Sequence, residues 1–411
     1  MPSFYHSLVF LSCVLSGAAS GYAIKPFKIN LGSGVIRMKM LIQQTRLPET
    51  SVLGNSGAGT GLSWLRDRQK DWLERFDWEK EQGKMNRFNH SIVDVGNMTV
   101  HFIHQRSPNP HAVPLLLTHG WPGSFYEFHQ VIDPLSDPGN QSNVSFHVIV
   151  PSLPGFGFSS PAPPGWTLNK TADLFDTLLT EVLGYKSYAA VGGDWGSVVT
   201  WGLHNNHPEH VKAVLYTGLL PQMGPSLENI SNDPSFANAV TRLEDPERQR
   251  IQSNAIFPTD GWGYFLEQST RPATVGLALF DNPIGQLSWI GEKYLSGDPL
   301  MGTPPSALNN NTIITSVSLY YLSRTFETSV NTYYQNPNEF PSVMRRAAND
   351  IPMGFASYRY EAQYYPQFYL SQIGNLVYYS DHARGGHFSA LDNPPAYLAD
   401  VRNMMGRWYT P

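Results

Sequence analysis

The chain has 411 residues, 41% hydrophobic and 13% aromatic, enough apolar material to bury the core of a large catalytic domain with additions. Charged residues make up 15% and the formal net charge is -5, so no basic field exists to gather phosphates and nucleic acid is excluded as a partner. The single cysteine, Cys13, falls in an expected leader, so disulfides, cysteine metal sites and cysteine nucleophiles drop out together.

Residues 1–20 read as a signal peptide. An apolar stretch over 8–15 is followed by small residues, with cleavage expected near Ser20 or Ala23, although no Lys or Arg precedes the stretch. The run is too short to cross a bilayer comfortably, so removal is expected and no stable membrane span. Asn-x-Ser/Thr sequons begin at Asn89, Asn97, Asn140, Asn143, Asn169, Asn229 and Asn310, which together with the leader predicts a secreted or secretory-lumen glycoprotein.

Residues 21–110 read as an N-terminal extension packing on a core, with helical spacing over 62–82 and no catalytic cluster. From Val113 the pattern changes. Residues 113–118 and 146–150 are unbroken apolar runs followed by Gly-containing loops, as expected of strands buried on both faces of a parallel sheet. A helix over 171–183, a strand over 188–191, a helix through Trp201 and His204 and a strand over 211–216 continue the alternation of an α/β fold. From 221 to 345 the chain is rich in Pro, Gly, Asn and aromatics without a strand period, which predicts a mainly helical cap inserted into the core. A strand over 376–379, a Gly-rich loop and a helix over 395–408 complete a core made of 111–220 and 346–411.

The string Gly192-Gly193-Asp194-Trp195-Gly196 has the small residues that let a strand turn sharply into a helix and project one side chain from the bend. That side chain is Asp194. A carboxylate needs no base before it attacks, and it can displace at a saturated carbon to leave an alkyl ester. The bland alternative is a helix cap. A second string, His119-Gly120-Trp121-Pro122-Gly123-Ser124, follows the 113–118 strand, where backbone N–H groups of Trp121 and Trp195 could converge on the ester oxygen as an oxyanion hole. His119 reads as a structural hydrogen-bonder. The base should come late in the chain, and His387 in Arg384-Gly385-Gly386-His387-Phe388 fits, with His382 as a rival lacking glycine support.

With Phe76-Asp77-Trp78 and Asn86-Arg87-Phe88 in the extension, these strings make the chain resemble the microsomal epoxide hydrolase family along most of its length. The resemblance implies an α/β-hydrolase fold, mostly parallel with flanking helices, and no cofactor or metal. The implied partners are a small-molecule epoxide and water, and a homodimer stays open. It implies Asp194 as nucleophile and His387 as base. The stretch from Gly354-Phe355 to Tyr360-Glu361 matches the family pattern ahead of the histidine's charge partner, pointing to Glu361 over Asp381 and Asp392, though Arg359 stands where many members have Pro. Tyr264 and Tyr333 match the two cap tyrosines that hold the epoxide oxygen, with Tyr334 a close rival. An apolar epoxide would become a vicinal diol, in detoxification or biosynthesis. Two other functions stay open: a haloalkane dehalogenase, which also esterifies an aspartate, and a non-catalytic secreted binding module.

Overall fold

The computed structural model describes residues 21–53 and 56–411, so the expected signal peptide lies outside the described residues. Its frame is a nine-stranded sheet. In chain order the strands are β1 (Lys25–Pro26), β2 (His90–Val95), β3 (Met98–Gln105), β4 (Val113–Thr118), β5 (Phe146–Pro151), β6 (Tyr188–Gly192), β7 (Val211–Thr217), β8 (Met353–Tyr358) and β9 (Leu376–His382). They lie side by side in the order β1-β2-β3-β5-β4-β6-β7-β8-β9. From β5 to β9 every pairing is parallel, while β1, β2 and β3 join antiparallel at one edge.

The central strands need cover on both faces, and their sequences allow it. All five residues of β6 and all six of β8 are buried, consistent with near-continuous apolar runs rather than alternation. Helices Leu168–Thr177, Trp195–Asn206 and Pro394–Trp408 supply the cover. The parallel register pairs Thr118 at the end of β4 with Gly192 at the end of β6. The loops leaving those two strands therefore start side by side, at the strand ends where open α/β sheets bind ligands.

Between β7 and β8 the chain leaves the sheet and builds helices, the longest being Pro283–Gly297 and Asn310–Ser323. Among the described residues no helix is long and apolar enough to cross a membrane.

The N-terminal segment differs from the expectation in two ways. The expected helical stretch 62–82 is two helices, Leu62–Glu74 and Trp78–Met85, because Asp77 breaks the run and its side chain caps the second by accepting from the Lys80 N–H. The extension also does more than pack on the core: its strands extend the sheet, while helices Gly32–Gln44 and Leu62–Glu74 lie against the cap. Trp64 Nε1 donates to Asn310 Oδ1 at 3.2 Å, Thr60 Oγ1 to the Ser288 carbonyl at 2.7 Å, and Arg37 pairs with Asp281. The extension thus straps the cap to the sheet edge.

Candidate active site

The end of β6 and the start of helix Trp195–Asn206 are only two residues apart, so the chain reverses through Gly193 and Asp194. Asp194 takes φ 51° and ψ −134°, a conformation that costs a non-glycine residue about 1–3 kcal/mol and occurs where surrounding structure enforces it. Enforcement is visible at Gly196, where a Cβ would overlap the Thr118 carbonyl, so helix and β4 can approach this closely only through glycine. The Asp194 side chain does not cap its own helix. It projects across to the loop after β4, where the Trp121 N–H donates to Oδ1 at 2.7 Å. A Cβ on Gly120 would overlap the Asp194 carboxylate.

Among the described residues, Trp121 is the one whose backbone N–H donates to this carboxylate. The Trp195 N–H, the other expected oxyanion donor, sits in the first turn of the helix without a bond to it.

On the opposite side of Asp194, His387 Nε2 stands 3.4 Å from Oδ2. The other ring nitrogen, Nδ1, faces both oxygens of Glu361, at 3.0 and 3.2 Å. Glu361 follows β8, its side chain is 2% exposed, and the Ala362 N–H donates to its Oε1 at 2.8 Å. Burial by itself would lower the His387 pKa, but the Glu361 and Asp194 carboxylates outweigh it and hold the imidazole well above its usual value.

The alternatives fall elsewhere. His382 Nε2 bonds Asp400 at 2.8 Å, and Asp381 pairs with Arg250 at 2.6 Å. Asp392 is buried and accepts the Phe388 N–H at 3.0 Å. His119 is buried between the Gly120 carbonyl and the Leu153 N–H, and burial pushes its pKa down to about 4, as suits a neutral structural hydrogen-bonder.

Over the carboxylate lies an aromatic roof. The Tyr264 ring stacks on Trp121 with centroids 5.4 Å apart, and the Tyr333 ring meets Trp195 edge-on at 4.8 Å and Tyr264 at 6.0 Å. Tyr333 is 1% exposed whereas Tyr334 is 60% exposed, so helix Phe326–Gln335 turns the first inward and the second to solvent. Burial, reinforced by neighbouring negative charge including Asp194, raises both Tyr264 and Tyr333, so each hydroxyl keeps its proton at neutral pH. The indole N–H of Trp121 is buried without a hydrogen-bond partner among the described residues, and the Tyr333 hydroxyl faces the Tyr264 hydroxyl and the Trp195 indole N–H. An unsatisfied buried donor beside a carboxylate marks a place where a ligand supplies the missing acceptor.

These groups line a cavity of about 430 Å³, within the usual size for a small organic ligand. Two ionisable neighbours were not anticipated. Lys293 lines the cavity with its Nζ 4.2 Å from the Tyr264 ring centroid, and burial lowers its pKa. Behind the Trp121 loop, burial raises the Glu127 carboxyl to about 8, partly opposed by His387. Glu127 lies three residues beyond the His119 to Ser124 string, so its proximity was readable from the chain; the place of Lys293 depends on how a cap helix docks.

A carboxylate at a strand-to-helix bend, an acid-backed imidazole beside it and the mostly parallel sheet beneath define a hydrolase of the α/β-hydrolase fold. Comparison with known proteins agrees with that class and narrows it. Residues 24–128 match the family model "Epoxide hydrolase N terminus" and residues 113–249 the model "alpha/beta hydrolase fold". A protein of Stigmatella aurantiaca is 35% identical over 387 residues, covering 92% of this chain and 84% of its own length. Epoxide hydrolase 1 of Sus scrofa is 30% identical over 414 residues, covering 95% and 90%. The solved structure of the Aspergillus niger epoxide hydrolase superposes with a TM-score of 0.80 at 31% identity, covering 94% of this chain and 97% of that one. The chain belongs to the microsomal epoxide hydrolase family.

Proposed function

We propose that this enzyme hydrolyses an apolar epoxide to a vicinal diol through an alkyl ester on Asp194. The observation that carries the reading is the convergence on one carboxylate: the Trp121 N–H at 2.7 Å, the His387 imidazole at 3.4 Å, and the Tyr264 and Tyr333 rings above it.

In the first step Asp194 Oδ2 attacks an oxirane carbon as its C–O bond breaks, and a tyrosine hydroxyl gives its proton to the departing oxygen. An alkoxide is a poor leaving group, and two neutral phenols in a dry roof are suited to receive it. Esterification removes the charge of Asp194, one of the two carboxylates that hold His387 protonated. The imidazole pKa then falls, its proton returns to the tyrosinate, and His387 becomes a base. In the second step neutral His387 takes a proton from water, which attacks the carboxyl carbon. The Trp121 and Trp195 N–H groups stabilise the oxyanion, and Glu361 stabilises the imidazolium. Collapse expels the diol oxygen, which is protonated by His387, and the new Asp194 carboxyl returns a proton to the imidazole.

Asp194→Ala should abolish diol formation from styrene oxide, and full turnover by that variant would refute the mechanism. The unpartnered indole N–H of Trp121 is the observation that suits a halide leaving group. Bromide release from a bromoalkane, compared with diol formation, separates that reading from the epoxide one.

A secretory location is part of the proposal. Of the seven sequon asparagines, Asn89, Asn97, Asn140, Asn143, Asn169 and Asn229 are exposed, while Asn310 is half-buried and accepts from Trp64. A mass decrease on glycosidase treatment of the expressed protein supports it; no decrease counts against it.

A further inference from the structure

A second cluster of ligating side chains lies away from the cavity, near the N-terminal ends of β6 and β7. The five residues of β6, at about 3.3 Å each, separate it from the Asp194 bend by roughly 17 Å. Helix Leu168–Thr177 contributes Asp173 and Asp176, three residues apart on one face. The turn between helix Trp195–Asn206 and β7 contributes His207, Glu209 and His210. That turn is held by backbone bonds from the His210 and Val211 N–H groups to the His207 carbonyl, at 3.1 and 2.9 Å.

We propose that Asp176, His207 and His210 form a structural site for a borderline divalent cation of the zinc type, clamping helix Leu168–Thr177 to the turn ahead of β7, with the exposed Glu209 carboxylate turning in to complete the set.

The geometry is that of a ligand set. Asp176 Oδ2 is 3.3 Å from His207 Nδ1 and 3.0 Å from His210 Nδ1. Glu209 Oε1 is 3.8 Å from each of those same nitrogens, too far for a hydrogen bond and equidistant between them. A tetrahedral ion with bonds of about 2.0–2.2 Å has donor-to-donor edges of roughly 3.3–3.6 Å, close to the 3.3 and 3.0 Å from Asp176 Oδ2 to the two imidazoles. The candidate donor atoms of Asp176, His207 and His210 all lie within 4.8 Å of one another.

An outer layer is also in place. His207 Nε2 faces Asp173 Oδ1 at 2.9 Å, the carboxylate backing that orients a ligating imidazole, and the Tyr188 hydroxyl donates to Asp176 Oδ1 at 2.8 Å. Two imidazoles with two carboxylates suit zinc, cobalt or nickel rather than calcium or magnesium. With the exposed Glu209 side chain turned in, four protein donors leave no open position, so the role is structural and the cation takes no part in ester chemistry. Glu209 and Asp173 are more than half exposed, so the ion can enter from solvent.

The competing reading is a plain ion-pair cluster, and His210→Arg separates the two. Arginine keeps a cation facing Asp176 and Glu209 but cannot ligate a metal. The full chain, stripped with chelator, is titrated with zinc chloride by calorimetry and melted with and without zinc. Binding of one ion and a rise of several degrees in the wild type, both lost in His210→Arg, support the site. Asp173→Asn should weaken zinc binding by about 10- to 100-fold. Should His210→Arg fail to fold, cobalt-loaded wild type still decides: intense visible absorption of a four-coordinate ion supports the site. The weak spectrum of aqueous cobalt overturns it, as does zinc binding that His210→Arg leaves unchanged.

Discussion

Glu361→Gln is the perturbation whose consequence can be worked through most fully. The substitution keeps the shape of the side chain and removes its charge, where Glu361 accepts from His387 Nδ1 at 3.0 and 3.2 Å and its side chain is 2% exposed. His387 carries no charge while it waits to take a proton from water and becomes an imidazolium as water attacks, so the lost interaction belongs to the transition state of ester hydrolysis. A hydrogen bond to a charged group contributes about 1.5–3 kcal/mol, which corresponds to roughly 10- to 150-fold in rate. Esterification does not need His387 as a base, so its rate should change little. The two steps then separate, and ester accumulates. Tryptophan fluorescence provides the assay, because Trp121 and Trp195 flank Asp194, and intact mass under turnover counts the ester directly. Equal slowing of both steps with no accumulated ester, or no slowing at all, would refute this division of labour.

Other outcomes follow from the same geometry. Tyr264→Phe and Tyr333→Phe each remove one donor to the leaving oxygen and should slow ester formation by about 10- to 150-fold, leaving breakdown of a preformed ester unchanged. Pre-steady-state kinetics distinguish this from a packing defect, which would disturb both steps. Gly120→Ala places a methyl group onto the Asp194 carboxylate and should reduce ester formation by about 100-fold, as small misplacements of reacting groups do, while circular dichroism stays native. A collapsed spectrum would show that the residue supports the fold rather than the nucleophile. The coupling between Asp194 and His387 also fixes a pH order: losing the Asp194 charge removes one cause of the raised imidazole pKa. Single-turnover ester breakdown should therefore rise with pH through a value below the His387 pKa of the free enzyme, measured by NMR titration of the ring. An equal or higher value in the ester state would contradict the coupling.

Legibility in the sequence tracked how local the physical cause was. The bend at Asp194 and the loop at Trp121 were readable because close approach demands glycines at fixed neighbouring positions. The β2–β3 hairpin was also written locally, since Val95 pairs with Met98 across a two-residue Gly96-Asn97 turn. It escaped notice because His90 and His101 interrupt its apolar pattern; they are buried as a pair, with ring nitrogens 2.9 Å apart. The division of 62–82 into two helices depended on a single capping aspartate inside a charged run. Choosing Tyr333 over Tyr334 needed the rotation of one helix against the core, and finding Lys293 beside the Tyr264 ring needed the docking of another. Both are tertiary facts, set by which apolar faces meet rather than by any short string.

The ester on Asp194 is the claim on which the rest depends, and oxygen-18 water tests it most directly. With enzyme in excess over styrene oxide, a single turnover should place the label in the Asp194 carboxylate, because water attacks the carboxyl carbon, and the first diol should be unlabelled. Label in that first diol, with an unlabelled Asp194 peptide, would mean that water attacks the epoxide directly and would contradict the account.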